Sequence, residues 1–295
     1  MYLFWGSTFL AIRVGVQVVP PFVLASVRFL IAGPLMLALC AMRGLKLRQS
    51  GRDLAMLALI GVLMLGFGNM GLVWCEQYLP SGLASLLIAS IPIFVALLEA
   101  VLPGGEGLRA KGWWGIAVGF MGLMILVSPG LREGGHSNQR MGSAVAVFSA
   151  FVWTCGSVLS RRTKLAVSAF VAAAWQMTFA GMFNSLLVLA TGGSFRVHWT
   201  MQAVWSVAWL VTFGSLVGYS AYIYLLDNVA VAKVSTYAYI NPIVAVGLGA
   251  LLLHERLVGI EYAGMAAILV AVYLVTSSKL RVATVAAAEE CEAIG

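Results

Sequence analysis

The sequence predicts an all-α membrane protein in which ten transmembrane helices form two inverted repeats of five. Composition is the first observation behind this prediction, because 61% of the 295 residues are hydrophobic and only 10% are charged. Soluble domains contain about 25% charged residues, so this chain cannot cover a water-exposed surface. The second observation is a series of apolar windows of about 20 residues, the length that crosses a bilayer core. The third is an internal repeat with five windows in each copy.

The apolar windows follow one another along the chain with short connections. We expect spans at 1–17, 21–42, 53–74, 81–103, 111–129, 141–160, 168–191, 201–226, 231–253 and 259–278. The first window has no basic region before it and no small-residue cleavage site. It is therefore expected to be a span rather than a cleaved signal peptide.

Lysine and arginine residues indicate the orientation. With the N-terminus inside, twelve of the 18 lie in cytoplasmic segments and four outside, while Arg13 and Arg28 lie within spans. Positive residues accumulate on the cytoplasmic side, so both termini are expected to be cytoplasmic. The expected organisation is a first repeat at 1–130, an extracytoplasmic linker at 131–140, a second repeat at 141–278 and a cytoplasmic tail at 279–295.

The internal repeat appears when the chain is compared with itself at separations of 148 to 150 residues. Identical residues then coincide: Trp5 and Trp153, Arg13 and Arg161, Gly68 and Gly218, and Pro92 and Pro242. Because each copy has an odd number of spans, the second copy must enter the membrane from the opposite side. Inverted repeats are typical of transporters that alternate access around a central site.

Several function classes are excluded or disfavoured by the sequence. The net charge of +7 resides in short loops between spans, which disfavours nucleic-acid binding. The four cysteines show neither metal-ligand spacing nor a disulfide framework. The stretch GFGNMG at Gly66–Gly71 matches a dinucleotide fingerprint, but it lies inside a span, where glycines favour close helix packing. We expect no metal, no cofactor and no enzymatic activity.

Two polar residues at matching repeat positions lie within spans. Arg28 lies about seven residues into the second span, where a charged side chain is costly unless it faces protein or water. Its repeat partner is Gln176. We expect both to face the interior and bind substrate; the alternative for Arg28 is a structural contact or a side chain that extends to the interface.

Aromatic and amide side chains predict the lining of a substrate cavity. Candidates in addition to Arg28 and Gln176 are Trp5, Asn69, Trp153, Tyr219, Tyr237 and Asn241. Such a cavity suits amphipathic or aromatic organic solutes. Aromatic residues near span ends also occur as interfacial belts, which is the alternative.

Two carboxylates and two prolines are candidates for coupling and movement. Glu76 and Glu99 are expected to bind the coupling proton or to gate the pathway; the alternative is a solvated helix terminus. Pro92 and Pro242 each lie near the middle of a predicted span, where a proline removes a backbone hydrogen bond and allows a bend. They are expected to be hinges, or static kinks.

Four segments carry a resemblance to a known family: WGSTFLAIR, PPFVLASVRFLIAG, LPSGLASLLIASIPIF and YAYINPIVAVGLGALLLHERL. They resemble the EamA-type transporters of the drug/metabolite transporter superfamily, more narrowly the bacterial inner-membrane drug/metabolite exporters, over residues 2–278. The resemblance implies a ten-helix fold of two inverted five-helix repeats and secondary active efflux without ATP. Members of the family handle amino acids, aromatic metabolites, purines and cationic drugs.

The sequence therefore predicts a multi-pass inner-membrane permease that exports small organic metabolites or drugs, with protons as the coupling ion. Its partners would be the solute, the lipid bilayer and protons, with no nucleic acid. Two alternatives stay open: an uptake carrier of the same fold, and a membrane-embedded enzyme or scaffold.

Overall fold

A computed structural model of the chain describes residues 2–105, 107–132, 137–235, 237–257 and 259–292. These residues form helices and no strands. The helices are α1 (Tyr2–Val16), α2 (Pro21–Met42), α3 (Gly51–Cys75), α4 (Ser81–Ile88), α5 (Ile91–Val101), α6 (Ala110–Arg132), α7 (Ser137–Arg162), α8 (Ala169–Ala190), α9 (Met201–Asn228), α10 (Val231–Val234), α11 (Tyr237–Leu252) and α12 (Gly259–Glu292).

Eight stretches of the described residues are long and apolar enough to cross a bilayer. They are Pro21–Met42, Gly51–Cys75, Ser81–Val101, Ala110–Ser128, Asn138–Arg162, Ala169–Ala190, Met201–Asn228 and Gly259–Ser278. Two shorter apolar helices, Leu3–Val16 and Ile240–Leu252, lie within the first and ninth predicted spans. The predicted all-helical membrane class is confirmed.

The ends of several helices use the same local chemistry in the two halves. The Ser50 hydroxyl accepts a hydrogen bond from the backbone N–H of Asp53 at the start of α3, and Thr200 accepts one from Ala203 at the start of α9. Such caps satisfy backbone donors that the first helical turn leaves free. At the other end, Gly44 and Gly192 follow α2 and α8 with φ of 71° and 70°, a left-handed conformation that glycine adopts readily.

The middle parts of α3 and α9 are wound as π-helix, over Val62–Asn69 and Leu210–Tyr219. A π-helix widens the turn to i→i+5 hydrogen bonds and often occurs at functional sites. Both segments end on a residue that the sequence predicts to bind substrate, Asn69 in the first and Tyr219 in the second. The widened turns therefore lie where α3 and α9 contribute to the centre of the molecule.

Helices α2 and α8 cross in close contact at two glycines. A Cβ atom at Gly33 would lie 2.6 Å from the backbone nitrogen of Thr178, and one at Gly181 would lie 2.8 Å from the backbone nitrogen of Leu30. Glycine permits this approach because it has no side chain. The two contacts are equivalent in the repeat, because Gly33 and Leu30 correspond to Gly181 and Thr178 at a separation of 148 residues. Helices α6 and α12 form a second closely packed pair.

One of the two prolines departs from its expected position inside a helix, and the other does not. Pro92 lies not in a helix interior but in the first turn of α5, after a break at residues 89–90 that separates α4 from α5. A proline is tolerated in the first turn of a helix because a backbone N–H at that position would have no acceptor within the helix. Pro242 does lie inside a helix, α11.

Helices extend into two segments that the sequence predicts as linker and tail. In the segment 131–140, α6 continues to Arg132 and α7 begins at Ser137, while residues 133–136 lie outside the described part. Within 279–295, α12 continues to Glu292, and residues 293–295 are not described.

Candidate functional site

A central cavity lies among the helices of both halves, with an empty volume of about 560 Å³ including its mouth. Seven of the eight predicted substrate-binding residues line it: Trp5, Arg28, Asn69, Trp153, Tyr219, Tyr237 and Asn241. The other lining residues, which the sequence did not single out as binding residues, are Thr8, Phe9, Leu65, Gly68, Leu72, Ile88, Ile91, Ser149 and Gly214. The cavity thus combines polar groups with a mostly apolar wall, as solute sites do.

Arg28 is buried in the wall of this cavity and held by neutral groups. Its Nε donates to the Ser215 hydroxyl at 2.8 Å and its Nη1 donates to Asn69 Oδ1 at 3.3 Å. The guanidinium lies over the ring of Phe29, 4.8 Å from its centroid. Gly214 makes room for it, since a Cβ atom there would lie 2.7 Å from Nη2. The predicted interior position is therefore the one that the structure shows.

Five aromatic rings form a continuous cluster along one side of the cavity, which we call the aromatic cluster: Trp5, Trp153, Tyr219, Tyr222 and Tyr237. Trp5 lies at the centre, with ring centroids 5.8 Å from Trp153, 5.0 Å from Tyr222 and 4.9 Å from Tyr237. All six ring contacts within the cluster are tilted or edge-to-face, and edge-to-face is a geometry that aromatic pairs prefer. Four of the five rings face the cavity, and Tyr222 supports them from behind.

Hydrogen bonds hold the rings of the aromatic cluster in fixed orientations. Trp5 Nε1 donates to the carbonyl oxygen of Gly214 at 3.1 Å. Trp153 Nε1 donates to the Tyr222 hydroxyl at 3.3 Å, and that hydroxyl also shares a 2.9 Å hydrogen bond with Ser157. A buried indole N–H or phenol requires such a partner. Contacts within the protein thus hold the rings in place.

Gln176 is the one predicted substrate-binding residue that does not line the cavity. It is fully buried, and its Oε1 accepts a 2.7 Å hydrogen bond from the Tyr219 hydroxyl. Tyr219 lines the cavity, so Gln176 acts on the site through that ring. The interior position was predicted, whereas the place of Gln176 behind Tyr219 was not, because repeat equivalence to Arg28 gives depth and not the direction of a side chain.

Glu76 lies outside the cavity, in a polar cluster where α1, α3, α4 and the α11–α12 connection meet. Arg13 Nη1 donates to the carbonyl oxygens of Glu76 and Gln77, and its Nε lies 3.5 Å from Glu255 Oε1. Glu255 Oε2 accepts from the backbone N–H and hydroxyl of Ser81, at 3.0 and 2.7 Å. We call Arg13, Glu76, Ser81 and Glu255 the outer cluster, because the expected orientation with a cytoplasmic N-terminus would place them on the extracytoplasmic side.

The Glu76 carboxyl itself is fully buried, and among the described residues neither of its oxygens has a hydrogen-bond partner. It is the residue after α3, whose apolar span ends at Cys75. Burial raises its pKa well above the ordinary range; the Arg13 guanidinium opposes this shift and Glu255 adds to it. A carboxyl in this setting favours its neutral form.

Glu99 lies at the opposite end of the molecule from Glu76. Arg162 Nη2 approaches Glu99 Oε2 at 3.3 Å, and Arg162 Nη1 donates to the carbonyl oxygen of Pro103. The neighbouring Arg161 donates to the carbonyl oxygen of Asp227, which repeats the contact of Arg13 with Glu76 at the other end. We call Glu99, Arg161, Arg162 and Asp227 the inner cluster.

Ser215 and Tyr222 are the main site residues that the sequence reasoning missed. Ser215 holds Arg28, and Tyr222 supports both tryptophans. Ser215, Tyr219 and Tyr222 are spaced by four and three residues, so helical periodicity places them on one face. Once Tyr219 was a candidate, this spacing could have indicated the other two.

Tyr219→Phe tests the hydrogen bond from the Tyr219 hydroxyl, in the cavity wall, to Gln176. The variant keeps the ring and removes the hydroxyl, which leaves the buried Gln176 oxygen without its donor. We expect a loss of about 1–3 kcal/mol in stability, read as a lower thermal unfolding temperature in detergent. Tyr224→Phe on the same helix is the control, because Tyr224 is exposed. Equal unfolding temperatures for the two variants would contradict the role of this hydrogen bond.

Helices of membrane-crossing length that enclose a cavity with a buried guanidinium and an aromatic cluster define a multi-spanning membrane protein with an internal site for a small solute. The chain belongs to the EamA-like transporter family, since the model of this family matches residues 1–128 and again residues 140–277. The family resemblance found in the sequence is therefore confirmed.

Similar proteins include named transporters. An uncharacterized inner membrane transporter of Escherichia coli strain K12, YedA, is 38% identical over 280 residues, covering 95% of this chain and 89% of that protein. A probable amino-acid metabolite efflux pump of the same strain is 27% identical over 282 residues, covering 92% and 90%. A crystal structure of a protein that is 22% identical matches with a TM-score of 0.70 over 95% of both chains, a likeness of fold.

Proposed function

We propose that this protein is a secondary transporter of a bacterial inner membrane that exports small organic solutes through the central cavity. The observation that carries the proposal is the cavity itself, in which a buried arginine and ordered aromatic rings come from both halves of the chain. A relative described as an efflux pump supports the direction of transport.

The proposed architecture is ten spans in two inverted halves with both termini in the cytoplasm. Its support comes from contacts that recur between equivalent residues. A Cβ atom at Gly218 would collide with the Trp5 indole, and one at Gly68 would lie 3.1 Å from Trp153 Cβ. Each tryptophan thus packs against a glycine of the other half. The family model also matches each half separately.

In the proposed cycle, the two clusters act as gates on either side of the cavity. Opening toward one side requires the contacts of that cluster to separate while the other cluster stays closed, as in alternating access. The outer cluster joins the ends of three helices to the α11–α12 connection, so its separation would release all of them together. The break between α4 and α5 lies at the cavity wall, because Ile88 and Ile91 both line the cavity, and is the proposed hinge together with Pro242.

Glu76 is the proposed site of proton coupling. In the structure its carboxyl is buried and favours the protonated form, whereas contact with water would return its pKa toward the ordinary range. Proton uptake therefore accompanies closure of the outer cluster. For that proton to drive export, it must then leave toward the cytoplasm while the outer cluster stays closed, since release back to the outside would carry no proton across the membrane. The groups that face Glu76 are Arg13 from α1 and Glu255 from the α11–α12 connection, and lower pH favours the closed cluster.

Two measurements test the proposed function. Culture media of cells that over-express the protein are compared with vector controls by mass spectrometry, to find solutes that accumulate outside. The identified solute is then followed in liposomes containing the purified protein, with an imposed pH gradient of either sign. Export predicts accumulation outside cells and counterflow in liposomes. Depletion from the medium would indicate uptake, and no solute-dependent counterflow would overturn the proposal.

Glu76→Gln is expected to remove the response of transport to a pH gradient while solute exchange at equal pH continues. The amide cannot release a proton but has nearly the same shape. Asp53→Asn is the control, because Asp53 is an acidic residue at the other end of α3, outside the cavity and outside both clusters. The measurement is counterflow and gradient-driven flux in the same liposomes. A pH response in Glu76→Gln equal to that of the native protein would exclude Glu76 as the coupling group.

A further inference from the structure

The central cavity carries one charged group and no opposite charge. Among the described residues that line it, Arg28 is the only ionisable cation, and no aspartate or glutamate is present. Both side-chain hydrogen bonds of Arg28 go to neutral oxygens, those of Ser215 and Asn69. Glu76 and Glu99, the acidic residues that the sequence singled out, belong to the outer and inner clusters instead. The wall of the cavity is therefore net positive.

Arg28 also has donor capacity that the protein does not use. Within the described part of the chain, acceptors are found for Nε and Nη1, and none is found for Nη2, which lies beside Gly214. A guanidinium has five N–H donors in a planar fork that matches a carboxylate. Unpaired charges are costly to bury. An anionic group at this end of the cavity would accept the remaining donors and neutralise the charge.

The rest of the cavity is suited to an apolar body. Trp5, Trp153, Tyr219 and Tyr237 present ordered rings whose own polar atoms largely have partners within the protein. Asn241 is an exception among the lining groups, since its buried Oδ1 has no donor among the described residues. This oxygen would accept a hydrogen bond from a hydroxyl or N–H of the solute.

We propose that the cavity selects monoanionic amphipathic solutes, which place a carboxylate on Arg28 and an apolar or aromatic body against the aromatic cluster, and that it rejects organic cations. This inference rests on the proposed transport function and specifies its substrate class. A cation would add a second positive charge without a counter-charge in the wall, and a dianion would leave one negative charge unpaired. A single carboxylate balances the site.

Three probes of nearly equal size test the proposal: 3-phenylpropionate, 3-phenylpropionamide and 3-phenylpropylamine. They share a phenyl body and differ in charge. Binding to the purified native protein is measured by thermal shift and by tryptophan fluorescence. We expect the carboxylate to bind at least tenfold more tightly than the amide, and the amine to bind more weakly than the amide. Equal or tighter binding of the amine, or binding of none of the three, would overturn the proposal.

Arg28→Gln connects the selectivity to one residue. The affinity for the carboxylate is expected to fall to that for the amide, while the amide is affected little; Arg28→Lys should retain part of the preference. The control is Arg196→Gln, which removes an exposed positive charge outside the cavity. Unchanged preference for the carboxylate in a folded Arg28→Gln variant would contradict the proposal. The comparison of probes on the native protein stands even where a variant does not fold.

These measurements separate the substrate class from the proposed function. Carboxylate-selective binding without counterflow of any solute would refute transport but leave the selectivity of the cavity intact. Counterflow of solutes without regard to their charge would support transport and refute the selectivity.

Discussion

Gly33→Ala is expected to destabilise the protein strongly, although it adds a single methyl group. The new Cβ atom would lie 2.6 Å from the backbone nitrogen of Thr178, and a backbone atom cannot rotate away as a side chain can. Helices α2 and α8 would have to move apart along their whole contact. Overpacking of this kind costs about 1–3 kcal/mol and sometimes more. The measurement is the thermal unfolding temperature in detergent, together with the monodisperse fraction after purification.

Gly181→Ala and Gly247→Ala complete this experiment. Gly181 makes the equivalent contact with Leu30, so its replacement should cause a loss of similar size. Gly247, in α11, has no atom within 4 Å of the point where an added methyl group would lie. Its replacement should leave stability unchanged or slightly higher, since alanine favours helix. If Gly33→Ala unfolds at the temperature of Gly247→Ala, the close crossing of α2 and α8 does not exist.

Gly218→Ala is expected to abolish transport while the protein stays folded. The added methyl group would occupy the position of the Trp5 indole, which would then lose its hydrogen bond to the Gly214 carbonyl and its packing in the aromatic cluster. The indole is a side chain and can move, which changes the shape of the cavity. The Phe213 carbonyl oxygen would also lie 2.8 Å from the added Cβ atom, so a moderate loss of stability accompanies the loss of transport. The measurement is counterflow in liposomes with the solute that the efflux screen identifies.

Gly68→Ala is the equivalent change in the first half, and a milder effect is expected. Its methyl group would lie 3.1 Å from Trp153 Cβ and 3.2 Å from Trp153 Cα, a tight contact rather than an overlap. Gly247→Ala again serves as the control for the loss of a glycine in a helix. Native transport rates in Gly218→Ala would show that the position of Trp5 does not matter for the solute pathway.

The fold class and the depth of the site could be predicted from the sequence because they depend on local patterns. Apolar length determines which segments can cross a bilayer, and a repeated residue at a fixed separation indicates equivalent depth. Arg28, Trp5 and Trp153 were recognised in this way. A charged or polar side chain within an apolar span is costly when it faces lipid. Because the sequence shows these residues within spans, it also predicts that they face a shared interior.

The contacts between distant segments could not be predicted. The partners of Arg13 are Glu76 and Glu255, which lie far apart in the chain and meet only when four segments pack together. The helix break before Pro92 could not be predicted either, because composition does not determine whether a helix ends before a proline or continues through it. Likewise, the π-helical turns of α3 and α9 have no clear sequence pattern, because apolar residues satisfy either winding. Tertiary packing decides all three.

The hydrogen bond between Arg28 and Ser215 has a consequence for how the protein is made. These residues are separated by 187 positions, so α2 leaves the ribosome long before α9 exists. Until then the guanidinium lacks a main partner, and an arginine within a membrane helix is costly when it faces lipid. The first half of the chain is thus incomplete as an independent unit in the membrane. Biogenesis should proceed through an early state in which α2 is held near the translocation machinery or the interface, and becomes stable only when the second half arrives.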